Sequence, residues 1–332
     1  MKRIVHSSVF YLLIINLLLF LMIGGKNSAF FTVENMFDLI RSGVVPGIFV
    51  MAAMLVIISG GIDVSFPAIA TFSMFTTTKI LNSLHYDGPI IIAFLLAGLI
   101  GLSLGLINAV FIAFFRLPTL IVTLGTSSMF SGFLLTFVGS SQINDLPSSF
   151  FEFSKMQVFK FTNENGVTVG LPVSFFVTVG VILLVSFILK FTMIGRGIYA
   201  LGGDQVSARR IGFSIFFLQF FIYSFVGFLS GIAGLIHTSM MRTSNPVDLL
   251  GSEMLIIAAV VLGGTRISGG HGTVTGTLLG LLLVITIQNS LILLGVPSYW
   301  QRFVIGALIL LGTGIAAYQL ILSTKKHKSI LS

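Results

Sequence analysis

The sequence predicts an all-α polytopic membrane protein of about ten transmembrane helices, several of them short or broken. Three observations predict it. Only 8% of the 332 residues are charged, against about 25% in a soluble domain, too few to cover a water-facing surface. Apolar residues make up 55% of the chain, in runs that recur near the roughly 20 residues a bilayer crossing needs. Basic residues collect in alternate connections between those runs, as they do on the cytoplasmic side of membrane proteins.

The apolar runs lie near 9–23, 44–59, 64–82, 89–115, 119–138, 172–191, 213–238, 252–264, 274–295 and 299–321. Two of them, 44–59 and 252–264, are short for an untilted crossing. If the first run crosses outward, both termini are cytoplasmic. The cytoplasmic ends and loops then hold Lys2, Arg3, Arg116, Lys190, Arg196, Arg209, Arg210, Arg266, Lys325, Lys326 and Lys328, against Asp204 alone among the acids. The opposite side holds seven bases and eight acids, Glu34, Asp38, Asp87, Asp145, Glu152, Glu164, Asp248 and Glu253 among them. That asymmetry favours this orientation over its inverse, and it accounts for the net charge of +8 without a nucleic-acid partner. Lys2 and Arg3 before an apolar run also fit a signal peptide. Because everything downstream is embedded, an uncleaved first helix is expected.

The whole chain, 1–332, reads as one transmembrane domain with two notable loops. The outer loop 139–172 is the longest polar segment. Within it QVFKF and VTV flank TNENG, and Asn165-Gly166 is a hairpin-turn signal. A small outer β-hairpin is expected, serving either as a docking point for a soluble partner or as a lid on its own helices. The cytoplasmic loop 192–213, TMIGRGIYALGGDQVSARRIGF, is the longest basic one. DQVSARRIG can form a short helix exposing Arg209 and Arg210, suited to a partner's groove or to lying at the headgroup surface.

Glycine placement is informative. Gly98, Gly101, Gly105 and Asn108 share one helical face, as do Gly227 with Gly231 and Gly276 with Gly280. Small residues at that spacing let membrane helices pack closely, while the Asn108 amide must find a partner or line water. Three segments share a pattern: GGIDVS at 60–65, GGDQVS at 202–207 and GGTRIS at 263–268. Three short matches do not establish an internal repeat. Gly60 with Gly61, and Gly263 with Gly264, interrupt apolar runs and are expected to break helices, with Ser65 and Pro67 capping and restarting the chain. Broken helices persist in lipid only where the freed backbone is buried or lines a cavity. Asp63 is thus either part of a polar pathway or a structural cap, and the two are compatible.

Catalytic motifs are missing. The sequence has no cysteine, no HExxH, no GxSxG and no phosphate-binding loop of the Walker type. His6, His85, His237, His271 and His327 are scattered. A chain of this kind is a transport subunit rather than an enzyme, and it draws energy from an ion gradient or a separate protein.

At this point SGGIDVS, GLINAVFIAFFRLPTLIVTLGT, GRGIYALGGDQVSARRIGF and VVLGGTRISGGHGTVTGTLLG resemble, together and in order, the membrane permease subunits of bacterial simple-sugar ABC importers. These are the ribose-type permeases of the branched-chain permease superfamily, and the likeness spans about residues 35–320. The resemblance implies a type II importer: two permeases over two cytoplasmic ATPases, fed by an extracytoplasmic solute-binding protein, in the bacterial cytoplasmic (inner) membrane. It implies that ATP and magnesium bind the ATPase and that this chain binds no cofactor or metal. Residues 203–212 match the coupling helix, with Asp204, Gln205, Ser207, Ala208, Arg209, Arg210 and Gly212 at the ATPase. Asp63, Ser65, Thr123, Gly125 and Thr126 match segments near the translocation path, and Asn108 joins them as an expected polar lining. FPAIATF after Ser65 departs from the Val-Gly-Ser usual in relatives.

The expectation is therefore a permease for a small sugar or sugar-like solute (ribose, another pentose or hexose, or autoinducer-2 class), paired with a second copy or a related permease. The rival is an ion- or proton-coupled secondary transporter that uses Asp63, since such proteins also combine broken helices with a buried carboxylate.

Overall fold

The computed structural model describes residues 8–162, 168–293, 295–297, 300, 303, 306, 307 and 310. In chain order its elements are α1 (Ser8–Lys26), α2 (Val33–Ser42), α3 (Val44–Ile58), α4 (Phe66–Ser83), α5 (Ile90–Ala109), α6 (Thr119–Phe133) and α7 (Ser148–Lys155). The strands β1 (Gln157–Thr162) and β2 (Thr168–Pro172) follow. Then come α8 (Val173–Phe191), α9 (Met193–Gly203), α10 (Gln205–Arg210), α11 (Ile215–Met241), α12 (Glu253–Leu262) and α13 (Val274–Leu293).

Seven helical stretches among the described residues are long and apolar enough to cross a membrane, not ten. The differences have physical reasons. α2 and α3 run on through Gly43 as one stretch, Val33–Ile58. α4 has the length, but Lys79, Asn82 and its serines and threonines lower its mean hydropathy. α12 has only 10 residues. Most of the expected run 299–321 lies outside the described residues.

The centre of the bundle is α3. From Val44 to Ile58 all but Pro46 are buried, and it packs against α8, α11, α12 and α13. A helix that is apolar on every side belongs at such a centre. Lipid tails are as apolar as leucine, so close packing holds these helices rather than escape from water. The tightest pair is α5 with α11. A Cβ on Gly101 would overlap the Gly227 carbonyl oxygen, and one on Gly105 would come within 2.5 Å of the Tyr223 carbonyl oxygen. The small-residue faces seen in the sequence thus meet each other. Gly276 and Gly280 of α13 meet α12 in the same way, at Gly263 and Ala259.

β1 and β2 pair antiparallel, from Gln157 opposite Pro172 to Thr162 opposite Thr168, with a bulge between Val158 and Phe161. The expected turn residues Asn165 and Gly166 lie outside the described residues. The outer loop also contains α7, an amphipathic helix whose Phe150 and Phe153 are buried, a feature its short SSFFEFSK stretch left unread. Several contacts gather that end of the molecule. Ile143 bridges Ser244, Asn82 Nδ2 donates to the Asp145 carbonyl at 2.6 Å, and His237 Nε2 lies 2.6 Å from Asp248 Oδ2.

Candidate functional site

α3 and α4 form a hairpin whose tip, residues 59–65, is buried against other segments. α3 closes with a C-terminal motif that needs a left-handed residue: Gly60 N–H donates to the Ile57 carbonyl at 3.0 Å and Gly61 N–H to the Val56 carbonyl at 3.0 Å. Gly60 supplies the φ of +83° that a side chain would strain. Gly263 and Gly264 end α12 with the same bonding pattern. Both expected glycine pairs therefore sit at helix ends.

Beyond Gly61 the chain is neither helix nor strand until α4 begins at Phe66, and part of its freed backbone is taken up by α6. Thr119 Oγ1 accepts from Ile62 N–H at 3.1 Å. Thr123 Oγ1 accepts from Val64 N–H at 3.3 Å and lies 3.3 Å from the Ile62 carbonyl, to which it donates. Positions 119 and 123 are one helical turn apart, so both threonines face the tip. Thr126 is buried on α6 but bonds only within its own helix, to the Thr123 carbonyl at 3.4 Å.

Asp63 is 3% exposed. Its Oδ1 accepts from Ser65 N–H at 2.6 Å and from Ser65 Oγ at 2.7 Å. Asn108, fully buried on α5, donates from Nδ2 to Ser65 Oγ at 2.7 Å. The result is a chain of three polar side chains that ties α5 to the tip. Asp63 Oδ2 and Asn108 Oδ1 have no hydrogen-bond partner among the described residues, and no base pairs with the carboxylate among them. One expectation is corrected here. Ser65 stands at the N-terminus of α4, but its hydroxyl makes no capping bond. Its backbone is already helical (φ −92°, ψ −14°), and its hydroxyl is engaged by Asp63 and Asn108.

A cleft of about 1080 Å³ opens beside the tip, lined by Gly60, Arg116, Thr119, Gln205, Arg209 and Gln219, with apolar residues of the 112–118 segment after α5, of α10 and of the start of α11. A smaller recess of about 240 Å³ continues it past Gly61 to Gly202, Tyr223 and Ser268. The five residues expected to form a polar lining, Asp63, Ser65, Asn108, Thr123 and Thr126, do not line either cavity. They lie buried behind the wall and hold it. The residues that do face the cavities, Thr119, Gln205, Gln219 and Tyr223, include three that sequence reasoning missed. Thr119 was legible as the residue one turn before Thr123, and Tyr223 as one turn before Gly227. Gln219 carried no such signal.

α10 sits at the mouth of the cleft. Asp204 caps it, Oδ1 accepting from Val206 N–H at 3.2 Å and Oδ2 from Ser207 N–H at 3.0 Å. The bonds from Ser207, with that from Val206, hold the exposed Asp204 carboxyl below the usual carboxylate range. At the other end Gly212 N–H donates to the Arg209 carbonyl and Phe213 N–H to the Ala208 carbonyl, each at 3.1 Å, with Gly212 at φ +97°. Closing both ends makes so short a helix persist. Ala208 is buried, whereas Gln205, Ser207, Arg209 and Arg210 are exposed. Val206 and Ile211 are also exposed, at 59% and 70%. No group of three or more histidine, cysteine or carboxylate side chains suited to a metal occurs among the described residues.

Glycine-closed helix hairpins around a buried polar tip, in a bundle of membrane-crossing helices, define a polytopic membrane protein with the build of a transporter. Residues 35–312 match the family described as the branched-chain amino acid transport system / permease component, and the chain belongs to it. The chain is 31% identical over 299 residues, 90% of each chain, to the ribose import permease protein RbsC of Escherichia coli K12. It is 31% identical over 304 residues to the probable ABC transporter permease protein YphD of the same strain, covering 92% of this chain and 88% of that one. To the autoinducer 2 import system permease protein LsrC of Yersinia pseudotuberculosis YPIII it is 30% identical over 296 residues, covering 89% and 80%. No solved structure matches the chain.

Proposed function

We propose that this chain is the permease subunit of an ATP-binding-cassette importer for a small sugar or sugar-like solute, of the ribose, other pentose or hexose, or autoinducer-2 class. The observation that carries this reading is similarity along about nine-tenths of the chain to permeases named for ribose and autoinducer-2 import. On this reading a separate cytoplasmic ATPase binds ATP and magnesium, an extracytoplasmic binding protein delivers solute, and a second permease, identical or related, completes the pore. The chain spans the bacterial cytoplasmic membrane with α10 and both termini on the cytoplasmic side.

α10 suits the ATPase contact. It is closed at both ends, anchored by Ala208, and presents Val206, Arg209, Arg210 and Ile211 outward. A short helix with apolar and basic positions exposed fits a groove in a soluble partner. The cleft that it overhangs is then the cytoplasmic end of the path. Thr119, Gln205 and Gln219 offer it a hydroxyl and two amides beside the cations Arg116 and Arg209, and these neutral groups suit passing contacts with a polyol. Asp63, Ser65, Asn108 and Thr123 keep the tip in shape behind that wall. The ion-coupled alternative centred on Asp63 is not adopted, because a relative similar along about nine-tenths of the chain is named as an ABC transporter permease and Asp63 Oδ1 already accepts from Ser65 N–H and Oγ.

The test is Arg209→Glu with Arg210→Glu. The expected result is loss of solute uptake together with weakened association of the ATPase. Full uptake in that double variant contradicts the assignment of α10.

A further inference from the structure

The segments GGIDVS, GGDQVS and GGTRIS carry one pattern at three distant places in the chain, and in the fold their neighbourhoods meet. The C-terminal end of α9, at Gly202 and Gly203, lies between two hairpin tips: the one at Gly60 and the one at Gly269 and Gly270, between α12 and α13. The approach is backbone to backbone. A Cβ on Gly202 would overlap the Ile58 carbonyl oxygen and come within 2.6 Å of Gly270 N. One on Gly269 would come within 2.8 Å of Gly60 Cα and 2.7 Å of the Gly202 carbonyl oxygen. One on Gly270 would come within 2.9 Å of Gly203 Cα.

Hydrogen bonds bind the same three segments. Gly270 N–H donates to the Ile58 carbonyl at 2.8 Å, and the Tyr199 hydroxyl of α9 donates to the Gly272 carbonyl at 2.8 Å. In the middle segment Gly203 is followed directly by Asp204, the cap of α10, and the first continues through Gly61 to Asp63. Between the capping carboxylate of α10 and the buried carboxylate of the tip there is thus one junction of bare backbone, with no flexible side chain to absorb a displacement. Packed backbone of this kind shifts as a unit, since close-packed contacts deform little.

We infer that this glycine junction is the element that carries movement of α10 into the α3–α4 tip, with Gly202 and Gly269 as positioning residues for transport. The inference rests on α10 being the ATPase contact. It differs from that reading in assigning the transmission to residues that touch neither ATPase nor solute. A methyl group at either glycine forces the three backbones apart and separates the motion of α10 from that of the tip.

The experiment compares Gly202→Ala and Gly269→Ala in the assembled transporter. The exposed Gly180→Ala of α8, where a Cβ meets nothing within 4 Å, serves as the control. Three quantities are measured: ATPase recovered with the tagged chain, ATP hydrolysed, and solute taken up. Both junction variants are expected to retain the ATPase and its hydrolysis within about twofold while uptake falls by about 5- to 150-fold, the usual size of a coupling between sites. The ATP consumed per solute then rises, a change that a merely structural role would not produce. Uptake at the control level in assembled variants overturns the inference, as does loss of assembly in both, which makes the junction a packing feature only. If Gly202→Ala alone fails to assemble, Gly269→Ala decides. If the unaltered chain recovers no ATPase, the reading of α10 fails instead, and the two failures are distinguishable.

Discussion

Asn108 Nδ2 donates to Ser65 Oγ at 2.7 Å, joining the most tightly packed helix pair of the bundle to the buried tip of the α3–α4 hairpin. The bond matters because Ser65 in turn donates to Asp63. One amide on α5 therefore fixes the direction of a hydroxyl and, through it, of a carboxylate. All three side chains are nearly free of solvent contact, where an unpaired polar group costs about 1–3 kcal/mol.

Asn108→Ala removes the donor and leaves the buried Ser65 Oγ without the hydrogen that it accepts, so its own bond to Asp63 Oδ1 is no longer held in direction. Stability in detergent is expected to fall by about 1–3 kcal/mol, read as a lower melting temperature of the purified chain. Uptake is expected to fall with it. A variant as stable as the parent shows that the three-residue chain contributes nothing to the tip.

Asp63→Asn tests which carboxylate property matters. An amide oxygen still accepts from Ser65 N–H, so the turn is retained and the change amounts to about 1 kcal/mol, or about fivefold. Uptake in membranes is expected to persist within that factor and to be indifferent to a proton ionophore. Abolished uptake in this variant, with ionophore-sensitive uptake in the parent, moves the mechanism to ion coupling at Asp63.

The α5–α11 contact tolerates no side chain at Gly101, where a Cβ meets the Gly227 carbonyl oxygen. Gly101→Leu is expected to cost at least about 1–3 kcal/mol by overpacking, seen as loss of monodisperse protein on extraction. Gly180→Leu, on the open side of α8, is expected to be neutral.

The α10 cap has a defined pH response. The Asp204 carboxyl lies below its ordinary range because the charged form accepts from Ser207 and Val206. Its stabilisation is therefore present above the unfolded carboxylate pKa and is lost as pH falls through the lowered folded value. ATPase binding is expected to be insensitive to this group from pH 5 to 8, roughly a unit and more above that range. Asp204→Asn, which still accepts from the backbone, is expected to bind the ATPase like the parent, and Asp204→Ala more weakly. Equal binding by all three shows that the cap is dispensable.

How far the sequence disclosed this arrangement depended on range. Gly60 and Gly264 were legible because a left-handed residue closing a helix is a local demand. The glycine faces of α5 and α11 were legible because a three- and four-residue spacing defines a face. The hairpin strands were legible from the Asn165-Gly166 turn signal between QVFKF and VTV, and the short α10 from the basic stretch DQVSARRIG. The location of the cleft was not legible: Asp63, Ser65, Asn108, Thr123 and Thr126, expected to line a translocation path, are buried and line neither the cleft nor its recess. Which side of a helix faces a cavity depends on the neighbour it packs against, and α11, which brings Tyr223 and Gln219 to the cleft, is distant in the chain. The count of about ten crossings is not confirmed: α4 carries Lys79 and Asn82 among its apolar residues, α12 is only 10 residues long, and most of 299–321 lies outside the described residues. The meeting of Gly60, Gly202 and Gly269 was equally hidden, since the third pattern match pointed to Gly263 and Gly264, which close α12, and not to the Gly269–Gly270 tip that makes the contact.

The most direct measurement of the central claim is gentle detergent extraction of the tagged chain from native membranes, with co-purifying proteins identified by mass spectrometry. The account predicts recovery of an ATPase bearing Walker motifs together with a solute-binding protein whose bound ligand is a small sugar or sugar-like solute. Recovery of the chain alone, still able to accumulate solute on an ion gradient, would contradict it.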